Sequence, residues 1–168
     1  MPKIIENLET RLMEEAKKQI EENGYGNVTI RSVAKACGVG IGTVYNYFPS
    51  KDNLLATYML SDWNACIDVI TDVSAKASTP EPVVQCICQQ LCSYAENHRS
   101  VIQDENAAVN FRGAFSHYHV LLRSQLSEPL KKFCRNSFAA EFIAEALLTW
   151  SMTERSFHEI WEMIQNCF

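Results

Sequence analysis

Apolar residues recur along the chain at steps of three and four positions, the spacing that places them on one face of an α-helix. The first such stripe extends over about residues 4–23 and consists of Ile5, Leu8, Leu12, Ala16 and Ile20. The alternation typical of a half-buried strand is not sustained anywhere, and no Asn-Gly or Asp-Gly turn joins two alternating segments. The pattern therefore predicts an all-α fold.

Two short helices are predicted where glycine interrupts the chain. Gly24 is expected to end the first helix, and Thr29 is expected to cap a second one over residues 30–36. Gly38 would end that helix, and a third would follow over about residues 41–48. The residues predicted to point inward from these two helices are Ile30, Val33, Ala34, Val44 and Phe48.

Longer helices are predicted for the rest of the chain. Pro49 breaks the third helix, Ser50 caps a fourth over about residues 51–77, and prolines 80 and 82 precede the next. The final helix is expected to begin with a capping box formed by Ser156 and Glu159. The later helices are expected near residues 82–97, 98–107, 111–135 (kinked at Pro129), 137–151 and 157–167.

Charge is distributed unevenly along the chain. The net charge is −5, yet none of the 20 carboxylates lies between Glu22 and Asp52. That segment holds Arg31, Lys35 and Lys51. Because salt screens charges beyond about 8 Å, this segment can present a positive surface on an acidic molecule.

The chain is expected to act in the cytoplasm. Its first residues include acids and lack the apolar core of a signal peptide. No apolar run approaches the roughly 18 residues of a membrane span, so no membrane partner is expected. Seven cysteines, an odd number without a secretory signal, favour reduced thiols over a disulfide framework.

Two short helices joined by a tight turn and braced by a longer helix form a helix-turn-helix. In that motif the second helix lies in the DNA major groove. Gly38 would allow the positive φ that ends the first helix, and Gly40 would occupy the N-cap of the second. Gly42, in the first turn, would let backbone N–H groups approach a phosphate.

The outward residues of the third helix are candidates for DNA contact. Thr43 and the tyrosine hydroxyls could donate to phosphate oxygens, and the Tyr45 ring could lie against a thymine methyl. Asn46 could read an adenine edge or contact the backbone. Tyr47 could instead simply pack at the end of the helix, and Lys51 is a candidate phosphate neutraliser.

Residues 29–51, TIRSVAKACGVGIGTVYNYFPSK, resemble the DNA-binding signature of the TetR (tetracycline-repressor-like) family. The resemblance implies a homodimeric transcriptional regulator, most often a repressor, that binds a palindromic operator in double-stranded DNA. It further implies that a small molecule of unknown identity binds the helical body, and that the fourth helix transmits this binding to the DNA-binding domain. The predicted domains are a helix-turn-helix domain over residues 1–49, with its motif at 29–48, and a ligand-binding and dimerisation domain over 50–168.

The same resemblance carries residue roles onto this sequence. Thr29, Thr43, Tyr45, Tyr47 and Lys51 match common phosphate or base contacts, and Arg31 and Ile41 match variable base-reading positions. Gly40 stands where a serine-like cap is usual, and Ile41 where a polar reader is frequent. The complete predicted DNA-binding set is Thr29, Arg31, Gly40, Ile41, Gly42, Thr43, Tyr45, Asn46, Tyr47 and Lys51.

Two further residue sets are predicted in the helical body. The candidate residues of a ligand cavity, each of which could equally be ordinary core, are Trp63, Cys66, Tyr94, Phe111, Phe115, Tyr118 and Trp150. The candidate residues of the dimer interface are Phe142, Leu147, Trp150, Phe157, Ile160, Trp161 and Ile164.

Other functions receive less support from the sequence. An enzyme is not expected, because phosphate-loop, nucleophile-elbow and HExxH motifs are missing, and no cofactor is expected either. Cys86, Cys88 and Cys92 lie on one helix, but zinc would need further ligands, so apolar filling is favoured and no metal is predicted. Three hypotheses stay open: a repressor released by an apolar or aromatic effector, the same fold under redox or partner control, and a scaffold for protein contacts.

Overall fold

The computed structural model describes residues 7–105, 107, 119–151, 153 and 155–168. All regular structure within these residues is helical, which confirms the predicted all-α class. The α-helices are α1 (Leu8–Asn23), α2 (Ile30–Ala36), α3 (Ile41–Tyr47), α4 (Lys51–Lys76), α5 (Glu81–Asn97), α6 (Arg99–Ile102), α7 (described over 119–127), α8 (Ser137–Trp150) and α9 (Phe157–Ile164). The same residues also form the 3₁₀ helices η1 (Tyr25–Asn27), η2 (Glu128–Phe133) and η3 (Gln165–Cys167).

The described residues divide into two compact units. The first takes those up to Ser61 and those from His98 to Ala107, and the second takes Asp62–Asn97 and those from His119 onward. Residues 51–61 of α4 thus belong to the first unit, and the rest of that helix belongs to the second.

The first unit is built on the stripe of α1. Leu12 and Ala16 are fully buried, and Ile20 is nearly so. They pack in one cluster with the inner faces of α2, α3 and the start of α4, the residues being Ile30, Val33, Ala34, Val44, Phe48, Leu54 and Leu55. Side chains predicted to point inward from α2 and α3 are therefore buried as expected.

The boundaries of α2 and α3 follow from their capping residues. Thr29 accepts from Ser32 N at 3.0 Å, and Ser32 Oγ accepts from Thr29 N at 3.1 Å, which closes a capping box. Gly38 ends the first helix of the pair with φ 69°, a conformation that side chains disfavour. Gly40 then stands at the N-cap of α3 in extended conformation, and Gly24 ends α1 with φ 78°.

The second unit has its own core. Its fully buried apolar residues include Ile70, Ile87, Leu126, Leu130, Ile143 and Leu147. The carboxyl end of α4 is held against η2, because Ser74 Oγ donates to the Pro129 carbonyl at 2.7 Å and Lys132 Nζ donates to the Ser74 and Ala77 carbonyls. Lys132 thus adds a donor at the carboxyl end of α4, where the last carbonyls of a helix lack their usual i+4 partner.

Three predicted elements differ from the structure. The helix expected over 98–107 is interrupted, because α6 ends at Ile102 and residues 105 and 107 are helical again after Asp104, whose carboxylate accepts from Ala107 N. The expected kink at Pro129 is a change of helix type, since proline takes an early position of η2 where its missing N–H is tolerated. The last α-helix stops at Ile164 and continues as η3, whereas its predicted capping box with Ser156 is confirmed.

Within the described residues, no helix is both long enough and apolar enough to cross a membrane. Phe111, Phe115 and Tyr118, three of the predicted cavity residues, lie outside the described residues.

Candidate nucleic-acid interface

Helix α3 has one side fixed in the core and one side exposed. Val44 is fully buried, and Phe48, which caps the helix, is 1% exposed. On the opposite side Tyr45 is 52% exposed and Tyr47 is 41% exposed. Two exposed tyrosines on a helix of seven residues form a surface suited to a partner.

The start of α3 adds small and apolar surface next to those rings. Ile41 is 37% exposed, and Gly42 and Asn46 are also exposed, whereas Thr43 is half-buried. A β-carbon placed on Gly42 would have no neighbour within 4 Å among the described residues. Packing within the chain therefore does not demand glycine at this position, and the open space faces outward.

The amino end of α2 presents two more predicted contacts. Thr29 and Arg31 are both exposed, and the Thr29 side chain takes part in the capping box. Behind them, Gln19 of α1 contacts the box, because Ser32 Oγ lies 2.6 Å from Gln19 Oε1. The sequence did not predict Gln19 as part of the site. A capping box is usually recognised by Glu or Gln at its third helical position, and here Ser32 fills that position, so neither the box nor its contact with Gln19 could be recognised.

Lys51, the first residue of α4, is held by η1. Its Nζ donates to the Tyr25 carbonyl at 3.0 Å and lies 3.9 Å from the centroid of the Tyr25 ring. The buried Tyr25 also donates its hydroxyl to Asp52 Oδ1 at 2.6 Å. An ammonium has three N–H donors, so Lys51 can bind a phosphate while keeping this contact. Tyr25 was likewise missed from the sequence, where it is one aromatic residue between two glycines.

A second side chain of α1 reaches the turn between α2 and α3. Arg11 donates from its NH2 group to the carbonyl oxygen of Cys37 at 3.2 Å. Cys37 is the C-cap of α2, so a cation lies at the negative end of that helix. Helix α1 thus contacts both ends of α2, through Gln19 at one end and Arg11 at the other.

In the second unit, the structure brings together part of the predicted cavity set. The buried Trp63 donates its Nε1–H to Gln125 Oε1 at 2.7 Å and meets Tyr94 edge-to-face with 5.5 Å between ring centroids. Burial, with further contributions from Asp62 and Cys66, raises the pKa of the Tyr94 phenol well above its ordinary value. Tyr94 is therefore neutral at physiological pH.

Trp150 lies in another place, on a groove between α8 and α9. The groove is lined by Phe142, Ala146, Trp150, Arg155, Glu159, Ile160, Glu162, Met163 and Ile164. Trp150 is 47% exposed, and the Arg155 guanidinium lies 5.6 Å from its ring centroid.

The predicted dimer residues fall into buried and accessible groups. Leu147, Ile160 and Ile164 are buried in a single chain, because they face the core of the second unit. Phe142 is more than half exposed, and Phe157 and Trp161 are half-buried and stacked on each other. The surface that a partner could cover is therefore formed by Phe142, Trp150 and the 79% exposed Met163, which was not predicted.

All seven cysteines are free thiols. Burial raises the pKa of Cys37, Cys66, Cys86, Cys88 and Cys134 above the ordinary value. The described residues hold no group of three His, Cys, Asp or Glu side chains that could bind a metal ion. Since the thiolate is the reactive form of cysteine, none of these five thiols is activated by its surroundings.

A short helix pair joined at Gly38, braced by α1 and presenting one exposed face of its second helix, defines a helix-turn-helix protein. Residues 12–58 match the family model of bacterial regulatory proteins, tetR family. The helix-turn-helix segment of this chain is therefore of the tetR family type.

Individual proteins extend the likeness beyond this segment. The fatty acid metabolism regulator protein of Bacillus subtilis (strain 168) is 26% identical over 124 residues, which cover 73% of this chain and 60% of that protein. The chain thus spans about 60% of the length of this relative.

Two crystal structures share the fold over almost the whole chain. One is the TetR family repressor AlkX from Dietzia sp. strain DQ12-45-1b, which is implicated in biodegradation of n-alkanes. It superposes with a TM-score of 0.66 at 16% sequence identity, and the match covers 94% of this chain and 97% of the AlkX chain. The other is FadR from Bacillus subtilis in complex with stearoyl-CoA. It superposes with a TM-score of 0.57 at 17% sequence identity, and the match covers 95% of this chain and 98% of the FadR chain. At these identities, the likeness establishes the fold.

Proposed function

We propose that the protein is a sequence-specific DNA-binding transcriptional regulator, acting as a homodimeric repressor, that inserts α3 into the major groove. The observation that carries this proposal is the exposed face of α3, with Tyr45 and Tyr47 outward while Val44 is fully buried. This face lies in the stretch between Glu22 and Asp52 that holds no carboxylate, so a polyanion can approach it.

In this proposal the predicted contacts divide by role. Thr29, Thr43 and Lys51 bind phosphates, and Arg31 and Asn46 are the polar candidates for reading base edges. Ile41 and the Tyr45 ring offer apolar contact to thymine methyl groups. We assign DNA binding to residues 1–49, whose described part lies within the first compact unit, and ligand binding and dimerisation to residues 50–168, which also include the part of the first unit formed by residues 51–61 and 98–107.

We propose that two chains associate through α8 and α9. Support comes from the groove that Phe142, Trp150 and Met163 line, which leaves large apolar side chains in contact with water in a single chain. A twofold dimer presents two copies of α3, which matches a palindromic operator with half-sites about one helical turn apart.

We further propose an apolar effector bound in the second unit beside Trp63 and Tyr94. Two structural neighbours support an effector with a long apolar chain, since FadR from Bacillus subtilis is in complex with stearoyl-CoA and AlkX is implicated in the biodegradation of n-alkanes. Because α4 runs from Lys51 through Trp63 to Lys76, a shift of this helix would link effector binding to DNA binding. We therefore propose a regulator that acts in the cytoplasm, has no enzymatic activity and needs no cofactor.

Selection of duplexes from a random pool tests the DNA-binding proposal. The wild-type protein should enrich an inverted repeat whose half-sites are centred about 10 base pairs apart. Binding without enrichment of any sequence would contradict sequence-specific regulation, and a direct repeat would contradict the twofold dimer.

Titration with fatty acyl-CoA thioesters and long-chain fatty acids tests the effector proposal. An effector should change Trp63 emission in a variant lacking Trp150 and Trp161, and should lower affinity for the selected duplex. By linkage, that duplex must weaken effector binding by the same factor. Release by hydrogen peroxide alone, with none of these ligands active, would favour redox control instead.

A further inference from the structure

A chain of polar side chains connects α1 with the amino end of α2. Gln19 Nε2 donates to Glu15 Oε1 at 2.7 Å, and Ser32 Oγ lies 2.6 Å from Gln19 Oε1. Ser32 and Thr29 then exchange two hydrogen bonds in the capping box, at 3.0 and 3.1 Å. The chain begins at the half-buried Glu15 and ends at Thr29, an exposed residue.

Donor and acceptor chemistry fixes the direction of these hydrogen bonds. An ionised Glu15 carboxylate only accepts, so the amide nitrogen of Gln19 must face it and the amide oxygen must face Ser32. Ser32 has a single hydroxyl proton, and the shorter distance favours donation to Gln19 Oε1, at 2.6 Å, over the Thr29 carbonyl, at 2.8 Å.

The consequence falls on the hydroxyl of Thr29. Its oxygen accepts from Ser32 N, which uses one lone pair and fixes the rotamer of the side chain. Its own proton is not needed by the capping box, because both box hydrogen bonds use backbone N–H donors. The hydroxyl can therefore donate outward, toward a phosphate oxygen.

We propose that Gln19 is a positioning residue for DNA binding. Through Ser32, it orders the Thr29 side chain so that the hydroxyl is set to donate to a backbone phosphate before DNA arrives. Preorganisation of this kind removes part of the cost of ordering a side chain on binding. The inference rests on the proposed DNA-binding function and adds a residue that itself has no contact with DNA.

The decisive experiment is a double-mutant cycle between Gln19 and Thr29. Gln19→Met keeps the length and helix preference of the side chain but removes its donor and acceptor, and Thr29→Val removes the hydroxyl with little change of shape. Affinity is measured for a random-sequence 30-base-pair duplex and for the selected duplex. Gln89→Met on the exposed face of α5 is the matched control.

Gln19→Met should weaken binding to both duplexes by about three- to tenfold, the range of one hydrogen bond. In the Thr29→Val background the same change should cost less than about twofold, because the hydroxyl it positions is gone. The slope of log affinity against log salt should stay unchanged, since no phosphate charge is neutralised by a neutral hydroxyl. The Gln89→Met control should bind as the wild type does.

An equal loss in both Thr29 backgrounds would overturn the positioning role and leave Gln19 a general stabiliser of α2. If Gln19→Met does not fold, Ser32→Ala breaks the next link and must show the same dependence on Thr29. If the wild type binds DNA but Gln19 and Thr29 show no coupling, this inference is wrong and the proposed DNA-binding function is unaffected. If the wild type binds neither duplex, both the proposed function and this inference are wrong.

Discussion

The Lys51 ammonium lies 3.9 Å from the centroid of the Tyr25 ring and donates to the Tyr25 carbonyl at 3.0 Å. Tyr25 in turn donates its hydroxyl to Asp52, the residue that follows Lys51. The first turn of α4 is thereby attached to η1 within the DNA-binding unit. A lysine held in this way places its charge at one point of the surface, whereas a free lysine samples many rotamers.

Replacing Lys51 with alanine should weaken binding to every DNA sequence by a similar factor, because a phosphate contact does not depend on the base. The slope of log affinity against log salt should fall by about one. Lys76→Ala at the other end of α4 is the control and should leave the slope unchanged. A loss confined to the selected duplex would show that Lys51 reads bases.

The glycines on either side of the turn should respond oppositely to substitution. Gly38→Ala should destabilise the fold by about 1–2 kcal/mol, since a β-carbon is disfavoured at φ 69°. Gly40→Ser should stabilise it by a few tenths of a kcal/mol, because this N-cap has extended backbone and lacks a side-chain acceptor. Urea denaturation gives the free energy of unfolding of each variant relative to the wild type. Equal destabilisation by the two substitutions would contradict the assignment of Gly40 as the cap.

Charge placed on the groove between α8 and α9 should separate the dimer. The Phe142→Glu and Met163→Glu double variant should sediment as a folded monomer at micromolar concentration and lose at least about tenfold in operator affinity, since a single half-site is weak. Val69→Glu, at a 45% exposed position of α4, is the control. Charging Ile160 or Ile164 is less informative, because these buried side chains would unfold the unit. A wild type that sediments as a monomer would contradict the dimer.

Buried thiols should react slowly. Burial raises the pKa of Cys66 and Cys88, so the thiolate fraction at pH 7 is smaller than that of an ordinary cysteine and grows only as the pH approaches the raised value. Alkylation by iodoacetamide, followed by peptide mass spectrometry, should be at least about threefold slower at these residues than for glutathione. Faster alkylation at either residue would favour the redox hypothesis.

The helix-turn-helix could be predicted almost completely from local signals. Thr29 as a cap, Gly38 with positive φ and the apolar pair Val44 and Phe48 all act over a few residues, and all are confirmed. What local patterns could not supply are the contacts that join distant segments. Gln19 with Ser32 and Lys51 with Tyr25 are 13 and 26 positions apart, and polar side chains carry no periodic signal of such pairing.

The helical body shows a different limit of sequence reasoning. The strongly apolar α9 predicts an interface, yet Ile160 and Ile164 are buried against their own chain. Periodicity identifies an apolar face but does not say whether the face is covered by the same chain or by another. The accessible residues Phe142 and Met163 could be told apart from their neighbours only once the packing of α8 and α9 was known.

The central claim is that α3 reads DNA sequence through its exposed face, and the specificity ratio of a Tyr45 variant tests it most directly. The ratio of affinities for the selected and random-sequence duplexes is measured for the wild type and for Tyr45→Ala, with Val120→Ala in the second unit as control. Tyr45 is 52% exposed, so folding should be unaffected while affinity for the selected duplex falls by about 1–3 kcal/mol and the ratio shrinks. An unchanged ratio in a folded Tyr45→Ala protein would contradict the account.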